Sequence, residues 1–274
     1  MTSHGAKRRR SRRPPDRHTS ASVRRMPADR RCLGAICAIL GYHEIAPLRT
    51  GMRRSLVVTP RTFAAHLAYL RASGGRCVSL DDVRLALDGE KRLPRRAFAL
   101  TFDDGYTGVY RHALPLLRRF GCTATVFVPS AAIGRRAGAG DSFPVETMDA
   151  QQLREWLGAG MSIGAHSRTH VDLPTVSPSD LESEIGGCIP DLEFAVGASV
   201  RTFCYPYGKH DRDSVEAVRR SGYALAVTNR FGVCRMGDDP FRLPRVTVGD
   251  NLDVLRFIYR LLLAGRASAR TWAA

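Results

Sequence analysis

Residues 97–106 read Ala-Phe-Ala-Leu-Thr-Phe-Asp-Asp-Gly-Tyr, an apolar run that ends in two adjacent carboxylates. The segment Ala97–Leu100 predicts a buried strand, and the Asp-Asp-Gly sequence shortly after it marks the end of that strand. Asp103 and Asp104 are therefore expected at the rim of a sheet or barrel. Adjacent acids at such a rim can divide the work of catalysis, because one can hold a metal ion while the other moves a proton.

The chain of 274 residues is long enough for one large α/β barrel or two small domains, and its 44% of hydrophobic residues can form a core. Short apolar runs alternate with amphipathic stretches, which predicts an α/β fold with a largely parallel sheet. A barrel places its chemistry at the C-terminal ends of its strands, and the polar motifs of this chain fall at such ends. The predicted strands are residues 32–40, 97–100, 122–129, 161–165, 200–204, 223–227 and 242–248.

Residues typical of helix ends define the elements between these strands. Thr59 before Pro60 predicts one helix start, Ser79 and Asp149 predict two others, and Gly121 closes a helix at 112–120. Further helices are predicted through the 180s and at 213–221 and 252–263.

The net charge of +16 is unevenly distributed. Residues 1–31 contain eleven Lys or Arg against two Asp, a net charge of +9, and they show no apolar period. This composition predicts a disordered basic tail at 1–31, followed by a folded domain at 32–274. Such a tail can contact nucleic acid, anionic lipid or an anionic polymer, and the simpler alternative is a solvated tail or sequence upstream of a start at Met26. Nucleic acid is the least favoured of these partners, because no base-reading motif accompanies the charge.

Seven scattered cysteines without a Cys-x-x-Cys pair are typical of free thiols in a reducing compartment. The apolar run at 32–40 follows basic residues, as a signal peptide would, but no Ala-x-Ala-like cleavage site comes after it. The run fits a first buried strand and is too short to span a bilayer. We therefore expect a cytoplasmic location by default, and the sequence leaves export or association with a membrane surface open.

His166 and His170 follow the predicted strand at 161–165. Two histidines at i and i+4 lie on one side of a helical turn and can bind one metal ion, although a pair of surface histidines is the simpler alternative. An aspartate at a neighbouring strand end favours the metal, since two histidines and one carboxylate leave the open position of a catalytic zinc site. Asp172 could orient a ligand histidine or cap a turn.

Residues 201–208, Arg-Thr-Phe-Cys-Tyr-Pro-Tyr-Gly, predict a strand that ends in a rigid aromatic wall. Sugars stack on exposed rings of this kind, which makes Tyr205 and Tyr207 candidate substrate residues. The backbone N–H of Tyr207 could face a reacting oxygen. An ordinary Pro-Gly turn is the alternative interpretation.

Taken together, the blocks at 101–106, 166–170 and 203–208 resemble the NodB-homology polysaccharide deacetylases, carbohydrate esterase family 4. The pattern is most similar to that of exopolysaccharide poly-N-acetylglucosamine deacetylases, and it covers about residues 35–250. The resemblance implies a distorted (β/α)7-type barrel. Other segments with the same resemblance are Tyr42-His43, Leu93-Pro94, Ala113–Leu117 and Arg242–Val246.

The resemblance also implies roles for individual residues. Asp104, His166 and His170 would bind a divalent metal ion, most often zinc. Asp103 would act as the general base on the water that attacks an N-acetyl carbonyl. The backbone N–H of Tyr207 would stabilise the resulting oxyanion together with the metal. Spacing alone does not distinguish the base from the ligand within the pair of aspartates.

Two departures from the family pattern leave questions open. No histidine follows His210, so the Leu-x-His motif that supplies the general acid in many members is absent. His43 is the candidate acid instead, with a purely structural histidine as the alternative. Cys204 stands where many members carry an arginine, so either Arg201 or Arg245 is expected to pair with Asp103. Arg201 is also a candidate substrate residue, because it precedes the aromatic block.

The predicted function is metal-dependent hydrolysis of the N-acetyl groups of an N-acetylglucosamine-containing glycan. Two alternatives remain, a deacetylase or amidase of a small sugar metabolite and an inactive metal-containing carbohydrate-binding protein.

Overall fold

Seven parallel strands close into a barrel in this computed structural model, which describes residues 1–2, 35–48, 54–137 and 145–267. The predicted tail at 1–31 lies outside the described residues except for its first two positions. Its disorder and the domain boundary at residue 32 therefore stay predictions. The strands of the described residues are β1 (Ala35–Tyr42), β2 (Glu44–Ile45), β3 (Val57–Val58), β4 (Arg76–Cys77), β5 (Ala97–Phe102), β6 (Thr125–Val128), β7 (Arg136–Ala137), β8 (Val145–Glu146), β9 (Ser162–Ala165), β10 (Thr202–Cys204), β11 (Leu225–Phe231), β12 (Cys234–Arg235) and β13 (Leu243–Thr247).

The barrel runs in the order β1, β5, β6, β9, β10, β11 and β13, and β13 pairs again with β1. All seven pairings are parallel. Each of the seven predicted strands overlaps one of these barrel strands, so the α/β barrel prediction is confirmed. Outside the barrel, β4 pairs with β5 and β12 pairs with β1, while β2–β3 and β7–β8 form separate short sheets.

Helices surround the barrel, and several of them begin where the sequence predicts. Thr59, Ser79 and Asp149 each accept a hydrogen bond from a backbone N–H of the helix that they cap. None of the described helices is long and apolar enough to cross a membrane. The α-helices of the described residues are α1 (Pro60–Ala72), α2 (Leu80–Leu87), α3 (Leu114–Phe120), α4 (Ala150–Gly158), α5 (Pro178–Ile185), α6 (Cys188–Val196), α7 (Arg212–Arg220) and α8 (Val254–Arg266).

The helix predicted at 112–120 differs from the prediction at its start. A π-helical segment, Val109–Ala113, precedes α3, and the N–H of Leu114 donates to the carbonyl of Val109. Pro115 has no N–H to continue a ladder of i to i−4 bonds, so the regular α-helix begins only at this point. Gly121 ends the helix at φ 59°, as predicted.

Strand β5 is buried on both faces, which explains its unbroken apolar sequence. Phe98, Leu100 and Phe102 pack in the layer between the barrel and the helices. Ala97 and Ala99 belong to a second cluster, formed by inward-facing side chains of several barrel strands together with residues of α2. Because side chains alternate along a strand, Thr101 and Asp103 continue the inward series toward the C-terminal rim.

A buried histidine connects the last helix to the barrel. The Nε2–H of His66 in α1 donates to the carbonyl of Leu252 at 2.8 Å, and Nδ1 faces the hydroxyl of Tyr42 at 3.3 Å. The ring also stacks on Phe257 of α8 at a centroid distance of 4.1 Å. Burial lowers the pKa of His66 to about 4, and the carbonyl of Leu252 offsets only part of this effect.

We expect this histidine to make the fold sensitive to acid. The pKa of His66 is lower in the folded chain than in the unfolded chain, so its stabilising effect is complete above pH 6.5 and is lost as the pH falls toward 4. The shift corresponds to about 3 kcal/mol. Urea unfolding of the wild type and of His66→Gln at pH 7 and pH 4.5 measures this effect. Equal changes between the two pH values in both proteins would contradict it.

Candidate active site

The two adjacent aspartates point in different directions. The N–H of Asp103 donates to the carbonyl of Tyr42 at 2.9 Å, which extends the pairing of β5 with β1 by one residue. Asp104 leaves the strand with a φ of 69°, and Gly105 follows at 66°. Two successive left-handed residues turn the chain sharply. The buried carboxylate of Asp103 therefore faces the barrel interior, while that of Asp104 faces the loop after β9.

Asp103 forms a buried bidentate ion pair with Arg245 of β13. Nη1 and Nη2 of the arginine donate to the two carboxylate oxygens at 2.7 Å each. Arg245 is fully buried, and it also donates hydrogen bonds to Asn229, to the carbonyl of Thr228, to Thr101 and to the sulfur of Cys204. Burial alone would raise the pKa of Asp103, but the guanidinium outweighs it and holds this pKa below its usual value. Asp103 is thus a buried carboxylate that Arg245 keeps ionised.

The structure decides between the two arginines that the sequence left open. Arg245 pairs with Asp103, whereas Arg201 is exposed and precedes β10. Arg201 lines a cavity with Thr125 and Ser162, which begin strands β6 and β9, so it lies at the opposite end of the barrel. The prediction of Arg201 as a substrate residue is therefore wrong. Arg201 precedes the N-terminal end of β10, whereas Asp103 and Asp104 lie at the C-terminal rim of the barrel.

Small side chains make room for Arg245 inside the barrel. A Cβ atom on Gly41 would lie 3.2 Å from Nη1 of the arginine, and Cys204 accepts a hydrogen bond from Nη2 at 3.3 Å. Cys204 stands at the position where the resemblance drawn from the sequence implied an arginine. A thiol there leaves space for a guanidinium that arrives from β13 instead of β10.

Asp104, His166 and His170 form a group with the geometry of a metal site. Oδ1 of Asp104 lies 3.4 Å from Nε2 of His166 and 3.2 Å from Nε2 of His170. Tetrahedral zinc with bonds of about 2.0–2.1 Å holds its ligands about 3.4 Å apart, so the three atoms fit such an ion. The pKa of Asp104 is held well below its usual value, since hydrogen bonds from the two histidines outweigh the effect of burial.

His166 is oriented by a hydrogen bond from its other nitrogen. Nδ1 lies 2.7 Å from the carbonyl of Cys204, which can only accept, so Nδ1 carries the hydrogen. Nε2 is therefore the nitrogen that faces Asp104, and it would bind a metal ion after it loses its hydrogen. His166 also lies near Asp103 and Cys204 in a second possible group of ligands. Arg245 already occupies the oxygens of Asp103, so the set with Asp104 is the better metal site.

The expected helical turn between His166 and His170 is not present. The segment is a bend with Ser167 at φ 58° and His170 at φ 63°, and Oγ of Ser167 accepts from the N–H of His170. The buried Glu184 of α5 accepts hydrogen bonds from the N–H groups of Arg168 and Thr169. The two rings meet because this carboxylate holds the bend, and no spacing rule in the sequence identifies Glu184.

His43 reaches the same site from the end of β1. Its Nε2 lies 3.8 Å from Oδ2 of Asp103, and the side chain is mostly buried. Its Nδ1 is buried, and none of the described residues forms a hydrogen bond with it. The imidazole therefore has one nitrogen toward the base and another that no described side chain orients.

Only one of the two predicted wall tyrosines is accessible. Tyr207 is 58% exposed, and its ring lies edge-on to that of His170 at 4.7 Å. Tyr205 is fully buried and donates its hydroxyl hydrogen to the carbonyl of Phe241 at 3.0 Å. The prediction of an exposed ring at Tyr205 is wrong, because this residue still follows the β10 alternation and packs under the wall. Asp172 pairs with Lys209 beside this wall.

A buried acid next to the site escaped the sequence analysis. Glu44 follows His43, and neither oxygen of its carboxyl has a hydrogen-bond partner among the described residues. Burial raises the pKa of Glu44 to about 7. A Cβ atom on Gly108 would lie 1.7 Å from Oε1 of Glu44, so only glycine fits at residue 108. In the sequence, only the position of Glu44 directly after the Tyr42-His43 motif indicated that it lies near the site.

The family model for polysaccharide deacetylase matches residues 90–226, which is half of the chain. This chain belongs to the polysaccharide deacetylase family. The deacetylase is 27% identical over 214 residues to YxkH of Bacillus subtilis, which is named as a polysaccharide deacetylase, with 78% of this chain and 72% of YxkH covered. It is 22% identical over 205 residues to the poly-beta-1,6-N-acetyl-D-glucosamine N-deacetylase of Staphylococcus epidermidis, with 71% and 68% covered.

Solved structures confirm the barrel of this deacetylase. IcaB from Ammonifex degensii is 29% identical with a TM-score of 0.71, and the match covers 78% of this chain and 92% of that one. The deacetylase PplD of Streptococcus pyogenes shares the fold at 23% identity and a TM-score of 0.73, with 82% and 97% covered. The predicted family, fold and class of hydrolase are thereby confirmed.

The matched segment contains only part of the site. Asp103, Asp104 and the two histidines of the bend lie within residues 90–226. His43 and Arg245 lie outside it, directly after β1 and within β13, the two strands that close the barrel of the deacetylase. The partner of Asp103 and the candidate acid therefore come from the parts of the chain that the family model does not match.

Proposed function

We propose that this deacetylase removes acetyl groups from N-acetylglucosamine units of a glycan and that it requires a divalent metal ion, with zinc as the best fit. The observation that carries the proposal is the group of Asp104, His166 and His170 at metal-ligand spacing beside the ion pair of Asp103 and Arg245. The substrate class is supported by relatives named as poly-beta-1,6-N-acetyl-D-glucosamine N-deacetylases.

Each residue then has a task that its position supports. A divalent ion held by Asp104, His166 and His170 would supply Lewis acidity toward the acetamide carbonyl and toward water. Asp103, kept ionised by Arg245, accepts a proton from the attacking water. The backbone N–H of Tyr207 donates to the oxygen of the tetrahedral intermediate, a contact of the kind that contributes about 10²–10³-fold to a rate.

Acetate release from N-acetylglucosamine and from its oligomers, with the metal content of the same sample, tests the proposal. We expect about one zinc ion per chain, faster release from oligomers, loss of activity with a chelator and recovery with zinc. Preference for the monosaccharide would favour a metabolite deacetylase. Glycan binding without acetate release would favour a carbohydrate-binding protein, and either result would overturn the proposed function.

His43 completes the proposal as the general acid that protonates the leaving amine. Its Nε2 lies 3.8 Å from Oδ2 of Asp103, so it borders the space in which the acetamide group would react. We expect His43→Gln to lower kcat by about 10²-fold or more, because proton transfer of this kind contributes about 10²–10⁴-fold. KM and zinc content should stay close to wild type. A change confined to KM would assign His43 to binding and remove its role as the acid.

A further inference from the structure

The outer face of α8 is an apolar stripe, formed by Leu255, Tyr259 and Leu262. These side chains are 77%, 64% and 58% exposed, and Leu263 beside them is also exposed. Their spacing of four and three residues places them in one row along the helix. Large apolar side chains are seldom exposed as a contiguous row unless they contact a partner.

The opposite face of α8 packs against the rest of the protein. Phe257 and Ala264 are fully buried, and Phe257 stacks on His66. A helix that packs on a barrel normally presents polar residues to solvent on its opposite face. The exposed stripe of α8 therefore does nothing for the core. Its exposed apolar area is removed from water only if a partner outside the described residues covers it.

The charges around the stripe are basic. Helix α8 contains Arg256, Arg260 and Arg266 and no acidic residue, and Asp253 precedes it as the N-cap. Arg260 lies over the ring of the exposed Phe231 at 5.3 Å, which extends the apolar surface to the end of β11. The chain also contains eleven Lys or Arg among residues 1–31.

We propose that the stripe of α8 docks the enzyme on an anionic phospholipid membrane. An apolar row with arginines and no acids within the helix is the composition of helices that lie in a membrane interface. Charge complementarity selects the lipid over a second copy of this chain, because two copies of the same basic helix would repel each other. The few exposed apolar side chains of this surface are also a small contact compared with the ~800 Å² per partner of a standard protein interface.

Cosedimentation of the full chain with vesicles tests this proposal independently of catalysis. We expect binding to vesicles of phosphatidylglycerol and phosphatidylcholine, weaker binding to phosphatidylcholine alone, and a decrease with added salt. The variant Leu255→Gln/Tyr259→Gln/Leu262→Gln should bind the anionic vesicles at least about tenfold more weakly. Its thermal unfolding and its acetate release in the absence of vesicles should match those of the wild type.

Phe194→Gln is the matched control. Phe194 is 95% exposed but stands alone on α6, so its loss should leave vesicle binding unchanged. Equal vesicle binding by the wild type and the triple variant would overturn the proposal, because the basic tail would then account for all of it. A wild-type dimer in lipid-free solution that the triple variant converts to monomer would also overturn it, in favour of a second copy.

Discussion

Replacement of Asp103 by Asn is expected to lower kcat by about 10²–10⁴-fold while zinc stays bound at about one ion per chain. The carboxylate of Asp103 is not one of the three proposed metal ligands, and Arg245 holds it ionised inside the barrel. An amide of the same shape cannot accept the proton of the attacking water. Steady-state kinetics of acetate release and metal analysis of the same sample measure both parts of this prediction.

Asp104→Asn is the matched comparison, because it makes the same replacement of a carboxylate by an amide at the neighbouring residue. Asp104 supplies the oxygen closest to both histidines, so this variant should lose zinc together with activity. If Asp103→Asn kept full activity, or if it lost zinc as Asp104→Asn does, the division of work between the two acids would be wrong.

Replacement of Arg245 by Met is expected to lower the free energy of unfolding by about 3–5 kcal/mol at neutral pH. The change leaves the buried carboxylate of Asp103 without its partner. In the wild type the pKa of Asp103 lies below its usual value, so the ion pair stabilises the fold above that value and is lost as the pH falls through the folded pKa. Without the guanidinium, burial raises the pKa, and the variant becomes less stable as the pH rises.

Urea unfolding of Arg245→Met between pH 5 and pH 8 measures this reversal of the pH dependence of stability. In the same variant, the acid limb of the pH profile of acetate release should move to higher pH. Arg201→Met is the control, since this exposed arginine lies at the opposite end of the barrel and should cost less than about 0.5 kcal/mol. Similar losses of stability in the two variants would show that the pair of Asp103 and Arg245 is not the buried interaction described above.

The sequence predicted the parts of this protein that depend on local chemistry. Alternating apolar runs and capping residues such as Ser79 placed the seven barrel strands and several helix starts, because hydrophobic period and cap hydrogen bonds act over a few residues. The motifs at 101–106 and 166–170 identified the two acids and the two histidines, since each motif lies within one strand end.

The turn between His166 and His170 shows where local rules stop. The i, i+4 spacing predicted a helical turn, but Glu184 on α5 binds two backbone N–H groups of the segment and holds it as a bend. The histidines still converge because the bend brings their rings to 4.8 Å. Glu184 lies 14 residues beyond His170 and carries no signature of that role.

By itself, the sequence determined which residue types carry the chemistry and at which strand ends they stand, because these properties depend on neighbours along the chain. Only the tertiary structure decided which arginine neutralises Asp103, that Tyr205 is buried, and that α8 exposes an apolar stripe. Each of these depends on the closure of β13 against β1 and on the packing of helices on the barrel. Contacts between residues more than a hundred positions apart leave no trace in local spacing, so the pairing of Asp103 with Arg245 appears only once the barrel is closed.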